Sequence, residues 1–227
     1  MLIIGHRGDK GGEPENTLSS FEKAIELGAD MVELDVHLTK DGHLVVIHDR
    51  KVDRTTEGKG LVSDKTLEEV RSLDAGEGEK IPTLEEVIEL VDQRVPINIE
   101  LKAIGSAEKV CDVIKFYVSE GWNRRDFMVS SFEHNELHHF SEICPEVKIG
   151  VLMGDVPLGY AEYAESLGAY SANIALEAAS PKFIKDAHER GIKVFVWVVN
   201  EPEDIALMKR LGVDGIFTDF PGRARGL

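Results

Sequence analysis

The chain has 227 residues, 42% of them apolar and 30% charged, which is the composition of a folded globular protein rather than a disordered or fibrous one. Its 26 Lys and Arg against 42 Asp and Glu leave a formal net charge of −16, which repels a phosphate backbone and argues against nucleic acid as a partner. No stretch of about 18 apolar residues occurs, so no integral membrane segment is expected. The start, Met1-Leu2-Ile3-Ile4-Gly5-His6-Arg7, lacks the basic, then apolar, layout of a signal peptide. Cys111 and Cys144 stand far apart in no CxxC, so neither a disulfide framework nor a cysteine zinc site is expected. A reduced, cytoplasmic compartment is the resulting expectation.

Taken in chain order, short β-rich runs alternate with amphipathic helical patterns. Strands are predicted at Leu2–Gly5, Met31–Thr39, Ile97–Leu101, Phe127–Ser130, Lys148–Leu152, Tyr170–Ile174, Lys193–Val199 and Asp214–Phe217. Helices are predicted near 17–27, 84–93, 106–119, 133–143, 158–167, 180–190 and 202–211. Leu27-Gly28-Ala29-Asp30, Leu167-Gly168-Ala169-Tyr170 and Leu211-Gly212-Val213-Asp214 each place glycine where a helix ends and a strand follows. Alternation of β and α with short links implies a parallel sheet covered by helices. Eight strands in a chain of this length fit an α/β fold of the (β/α)8 (TIM) barrel type. The competing open, doubly wound sheet lacks a GxGxxG after its first strand. Residues 50–82 break the rhythm. They are polar and glycine-rich, with one weak helix pattern at Leu67–Leu73, and read as a small insertion over the barrel mouth after a β-hairpin. No linker marks a second domain, so 1–227 is expected to form one.

Glu33 and Asp35 lie two apart in Met31-Val32-Glu33-Leu34-Asp35-Val36 and therefore share one face of a strand. Two carboxylates on a face that a barrel normally fills with apolar groups repel each other unless a cation joins them. Asp41-Gly42 reads as a two-residue type I′ turn. That turn pairs Lys40 with His43 and, by continuation, Asp35 with His48, roughly 5 Å apart at Cβ. Glu100 and Lys102 repeat the spacing of two at the end of the next strand, and His6 and Arg7 follow the first. His6, Arg7, Glu33, Asp35, Glu100 and Lys102 all fall at or near the C-terminal ends of consecutive parallel strands, where barrel enzymes carry their sites. Three carboxylates, Glu33, Asp35 and Glu100, suit a hard divalent cation with oxygen ligands, Mg²⁺ or Ca²⁺, with Mn²⁺ possible. Arg7 and Lys102 offer positive charge to an anionic group. His6 and His48 are candidates for acid and base. A dication, two cations and two histidines point to phosphoryl-transfer chemistry. Trp197 is a candidate pocket wall and Asn200 a candidate hydrogen-bonding group for a substrate. Glu15 is a candidate support from behind. His134, His138 and His139 fall on one predicted helix and read as a solvated face.

With these residues in view, the chain resembles the glycerophosphodiester phosphodiesterases. The resemblance rests on Gly5-His6-Arg7-Gly8, Pro14-Glu15-Asn16-Thr17, Glu33-Leu34-Asp35-Val36, Asp41-Gly42 through His48-Asp49, Asp53-Arg54-Thr55-Thr56, Ile81-Pro82-Thr83-Leu84, Glu100-Leu101-Lys102 and Trp197-Val198-Val199-Asn200, in family order across nearly the whole chain. It implies a (β/α)8 barrel that hydrolyses glycerophosphodiesters, small-molecule substrates, to sn-glycerol 3-phosphate and an alcohol. By motif, Glu33, Asp35 and Glu100 would hold the metal, His6 and His48 would be the acid/base pair, Arg7 and Lys102 would hold the phosphate, and Trp197 would lie near the glycerol. Asp9 stands where many relatives carry Ala, and Val198 where many carry Thr. Two other readings compete: a diesterase for another lipid-derived diester, of lysophospholipase D type, and a silent phosphodiester-binding barrel. The second has no need of both an acid and a base.

Overall fold

A computed structural model describes residues 1–227. Nine strands and nine helices run in the order β1 (Leu2–His6), α1 (Leu18–Glu26), β2 (Met31–Leu38), β3 (Leu44–Val46), α2 (Leu67–Ser72), α3 (Leu84–Val91), β4 (Ile97–Leu101), α4 (Ser106–Ser119), β5 (Phe127–Ser131), α5 (His134–Ile143), β6 (Lys148–Met153), α6 (Glu162–Ser166), β7 (Ser171–Ala175), α7 (Pro181–Glu189), β8 (Lys193–Trp197), α8 (Pro202–Leu211), β9 (Gly215–Thr218) and α9 (Pro221–Arg225). Apart from β3, the strands pair in parallel in the order β1-β9-β8-β7-β6-β5-β4-β2, and β1 pairs with β2 to close the ring. The result is the (β/α)8 barrel expected from the alternation. No helix is long and apolar enough to cross a membrane.

Local chemistry explains the elements. Thr66 and Thr83 open α2 and α3 with reciprocal capping boxes to Glu69 and Glu86. Gly212 ends α8 at φ 78°, a left-handed conformation that costs a β-carbon-bearing residue free energy. The predicted helix at 158–167 shrinks to Glu162–Ser166, because Tyr160 sits at φ 51° and breaks the turn before it.

Strand alternation sorts the two faces. Val32, Leu34 and Val36 point outward into a core of 50 buried residues shared with the helices. The other face fills the barrel. At one end a plug of Ile4, Met31, Met128, Phe195 and Phe217 closes it. Full burial of such side chains contributes about 1.5–3 kcal/mol each. Two residues further along the same strands, the same face presents His6, Glu33, Ser130 and Trp197 to the pocket. The apolar plug and the polar pocket are consecutive layers of one alternation.

The hairpin departs from the predicted register. β2 and β3 pair Val36 with Val46, His37 with Val45 and Leu38 with Leu44. The turn is one residue longer than a type I′ turn. Thr39 N donates to His43 O at 2.9 Å and Gly42 lies at φ 78°, the left-handed position of a three-residue loop. Asp35 O therefore accepts from Ile47 N at 3.0 Å, and His48 is not its cross-strand partner. Residues 50–82 form the expected insertion. They pack with the hairpin around seven buried residues, Val45, Ile47, Val52, Val62, Val70, Ala75 and Ile81, separate from the barrel core.

Candidate active site

His6, Arg7, Glu33, His48, Glu100, Lys102 and Trp197 line one pocket at the C-terminal ends of the strands, together with Asn98, Ser130, Phe132, Leu152, Val198 and Phe217. Register builds the acidic part: Asp35 lies beside Glu100 across β2 and β4, and Glu33 beside His6 across β1 and β2. One carboxylate oxygen from each of Glu33, Asp35 and Glu100 lies within 4.8 Å of the others, and all three residues are buried.

Their electrostatics differ. Burial raises Glu33 well above the usual carboxylate range, and the neighbouring Asp35 adds to the shift. Burial, then Asp35, also raises Glu100, to about 7, against the pull of Lys102. Burial acts to raise Asp35 too, but Arg7 and then Lys102 outweigh it and hold the group below its ordinary value. Asp35 Oδ2 accepts from Asn16 Nδ2 at 2.9 Å, while Asp35 Oδ1 is buried with no hydrogen-bond partner. An orphaned buried carboxylate oxygen beside two carboxylates that resist ionisation fits a hard cation. With all three ionised, three carboxylates face the two cations Arg7 and Lys102. A dication turns that excess of one negative charge into one positive charge, which complements a monoanionic diester.

The cationic groups are tied to this triad. Arg7 sits at φ 55°, between Gly5 and Gly8. At Gly8, a β-carbon would meet the backbone of Ser20 at 2.6 Å, so this loop packs tightly on α1. The turn lets Arg7 N donate to Glu33 Oε2 at 2.9 Å while Nη1 donates to Glu15 Oε1 at 2.8 Å and Nε lies 3.3 Å from Asp35 Oδ2. Lys102 Nζ donates to Glu100 Oε1 at 2.8 Å and lies 3.2 Å from His48 Nε2.

Both histidines turn Nδ1 toward an aspartate. His6 Nδ1 is 2.7 Å from Asp219 Oδ1, and His48 Nδ1 is 2.6 Å from Asp49 Oδ1. A proton on Nδ1 leaves Nε2 as the exchanging nitrogen, and at His48 the Lys102 ammonium selects this tautomer by donating to Nε2. Burial lowers both histidines, opposed at His6 first by its bond to Asp219 and at His48 first by Asp35. β3 ends at Val46, one more backbone bond joins Ile47 N to Asp35 O, and immediately beyond it the chain leaves the strand and His48 lines the pocket. The His48 carbonyl meets His37 Nε2 at 3.0 Å.

Asn200 does not line the pocket. Its Nδ2 donates to Asp219 Oδ2 at 2.8 Å and its Oδ1 accepts from Asp219 N at 2.9 Å, so the amide holds the aspartate that partners His6. Trp197 does line it, with Nε1 donating to Asn173 O at 3.0 Å and its ring edge-on to Phe132 at 5.5 Å. Glu15 pairs with Arg7 at 2.8 Å. His138 and His139 sit on the exposed face of α5 beside Glu142 and Glu108, and His134 bonds the Leu152 carbonyl at 2.9 Å. The sequence pointed to no role for Asp219, Asn98 or Phe132, and marked Asn16 only as a candidate cap of the first helix, a place that Thr17 takes. Asp219 and Phe132 were findable, because they stand two residues beyond Phe217 and Ser130 on strands whose inward face is known.

Comparison with known proteins follows the same lines. A family model described as the glycerophosphoryl diester phosphodiesterase family matches residues 6–223. A glycerophosphodiester phosphodiesterase of Caldanaerobacter subterraneus is 44% identical over 97% of this chain and 94% of its own length. One of Bacillus altitudinis is 43% identical over 98% and 96%. Among solved structures, a phosphodiesterase of Oleispira antarctica, in complex with the product sn-glycerol-3-phosphate, superposes with a TM-score of 0.92 at 31% identity, covering 100% of this chain and 96% of that one.

Proposed function

Since the chain belongs to the glycerophosphoryl diester phosphodiesterase family and is a phosphoric diester hydrolase, we propose that it hydrolyses glycerophosphodiesters to sn-glycerol 3-phosphate and an alcohol by acid/base catalysis from His6 and His48. The observation that carries this reading is the pair of histidines, each anchored at Nδ1 by an aspartate, facing one pocket with a buried triad that seeks a cation.

Glu33, Asp35 and Glu100 would hold a divalent ion, Mg²⁺, Ca²⁺ or Mn²⁺, which when bound neutralises charge on the phosphate oxygens. Arg7 and Lys102 bind the anionic diester and hold it against the histidines. One histidine takes, at Nε2, the proton of the attacking glycerol 2-hydroxyl, and the other delivers a proton from Nε2 to the departing alkoxide; water then opens the resulting cyclic phosphate to the monoester, with the two histidines exchanging roles. Asp219 and Asp49 fix the tautomers and stabilise whichever imidazolium forms. Burial would raise Asp219, but the hydrogen bond and charge of His6, with Asn200 and Lys10, bring it to about 2, so it stays ionised throughout the working range. Phe132 and Trp197 give the pocket an apolar wall that limits water around the reacting phosphorus.

The test is release of glycerol 3-phosphate from glycerophosphocholine and glycerophosphoethanolamine, with each metal and with chelator. Metal-dependent release that falls by about 10³-fold in His48→Ala supports the proposal. Diester binding without release, in wild-type protein supplied with every metal, would leave a binding module instead.

A further inference from the structure

Glu15 supports Arg7, and Asp49 supports His48. One guanidinium joins these two carboxylates. Arg54 Nε lies 2.8 Å from Asp49 Oδ2 and its Nη2 3.2 Å from Asp49 Oδ1, while Nη1 and Nη2 lie 2.9 and 2.7 Å from Glu15 Oε2 and Oε1. The fork is bidentate toward both. A continuous chain of charged hydrogen bonds therefore runs from His48 through Asp49, Arg54 and Glu15 to Arg7. Arg54 itself does not line the pocket and belongs to the insertion, not the barrel.

We propose that Arg54 is a positioning residue for the reaction, setting His48 and Arg7 in one arrangement from outside the pocket. The inference rests on the roles proposed above for those two residues. An exposed ion pair contributes little by itself, and the Arg54 side chain is 45% exposed. What separates it from a surface pair is that both of its acceptors also hold a pocket residue. Arg54 orients Asp49 so that one oxygen remains on His48 Nδ1, and it keeps Asp49 far below the usual carboxylate range. It also orients Glu15, which is largely buried and would otherwise answer to Arg7 alone. Only a planar fork reaches both carboxylates at once. A lysine is a point charge that serves one of them.

The experiment compares Arg54→Ala and Arg54→Lys with wild type on glycerophosphocholine in the full chain, reading kcat, KM and melting temperature. The expected result in Arg54→Ala is a kcat lower by about 30-fold, through His48, together with a KM raised about three- to tenfold, through Arg7. Arg54→Lys recovers only a minor part, and millimolar guanidinium restores activity to the alanine variant but not to the lysine variant. Wild-type kcat in either variant, or a higher KM with unchanged kcat, overturns the proposal. So does a loss that guanidinium leaves untouched and that follows the melting temperature. Should Arg54→Ala fail to fold, the kcat and KM of Arg54→Lys decide the matter by the same criteria. His48→Ala separates the two claims. Full turnover there removes the role of His48, whereas a dead His48→Ala beside a fully active Arg54→Ala removes only the role of Arg54.

Discussion

His6 and His48 each turn Nδ1 toward an aspartate, at 2.7 and 2.6 Å, yet the two pairs come from different parts of the molecule. The partner of His6 is 213 positions away in sequence and arrives only when β9 closes the barrel against β1. Asn200 and Lys10 hold it from two further loops, and the pair is 13% and 16% exposed. The partner of His48 is its own neighbour, the pair is 31% and 33% exposed, and the ground beneath it is the small insertion core. One arm is fixed by the closure of the whole fold. The other is fixed locally, by a turn, a guanidinium and seven buried side chains. A site built this way ties one histidine to the closure of the barrel and the other to the small core of the insertion.

The largest expected effect probes the two aspartates. Asp219→Asn lowers kcat by about 10²-fold, because Asp219 is the main group opposing the burial of His6, and Asp49→Asn lowers it by about 10-fold, because Asp35 also supports His48. Equal losses would break the contrast between the arms. Next comes the pH dependence of stability in the metal-free protein, which concerns the barrel side. Glu100 has its folded pKa raised from 4.5 to about 7, and Glu33 is raised as well. The folded state then binds more protons than the unfolded state between these values, so the associated stability is present below about 4.5 and is lost as pH rises through about 7. The histidines lowered by burial, His6, His37 and His48, oppose this slope, so the triad's share is read as the difference between wild type and Glu100→Gln in chelator, and a saturating divalent cation removes that difference. Identical profiles for wild type and Glu100→Gln in chelator would contradict the raised Glu100. The smallest effect separates the two cores. Val62→Ala costs about 1–2 kcal/mol and is confined to the insertion, so hydrogen exchange rises at 50–82 and kcat drops a few-fold. Val194→Ala, in the barrel wall, lowers the melting temperature and leaves kcat unchanged.

Most of this architecture was legible in the sequence for physical reasons. Buried parallel strands are apolar on both faces, so Glu33, Asp35 and Glu100 stand out as exceptions that need an explanation. Glu33 and Asp35, two apart on one strand, then share a face, and Glu100 joins them from the neighbouring strand. The hairpin was less legible, since Asp41-Gly42 serves turns of two or three residues and a change of one shifts every pair. His48 still reaches the pocket, through a bend that no strand register describes. The bond between the Asn200 amide and Asp219 was not legible, because it forms across a junction the sequence does not announce. The Arg54 bridge depends on how the insertion folds back on the 14–17 turn, which is tertiary information.

The central claim is that two histidines divide proton transfer between the attacking and the leaving oxygen. It is tested most directly by measuring His6→Ala and His48→Ala on two diesters, one with an alkyl leaving group and one with p-nitrophenolate, which departs without a proton. Both variants are expected to lose about 10³-fold on the alkyl diester. On the p-nitrophenyl diester one variant recovers most of its rate and the other does not, which identifies the acid. Equal recovery in both, or undiminished turnover of the alkyl diester in either, would contradict the account.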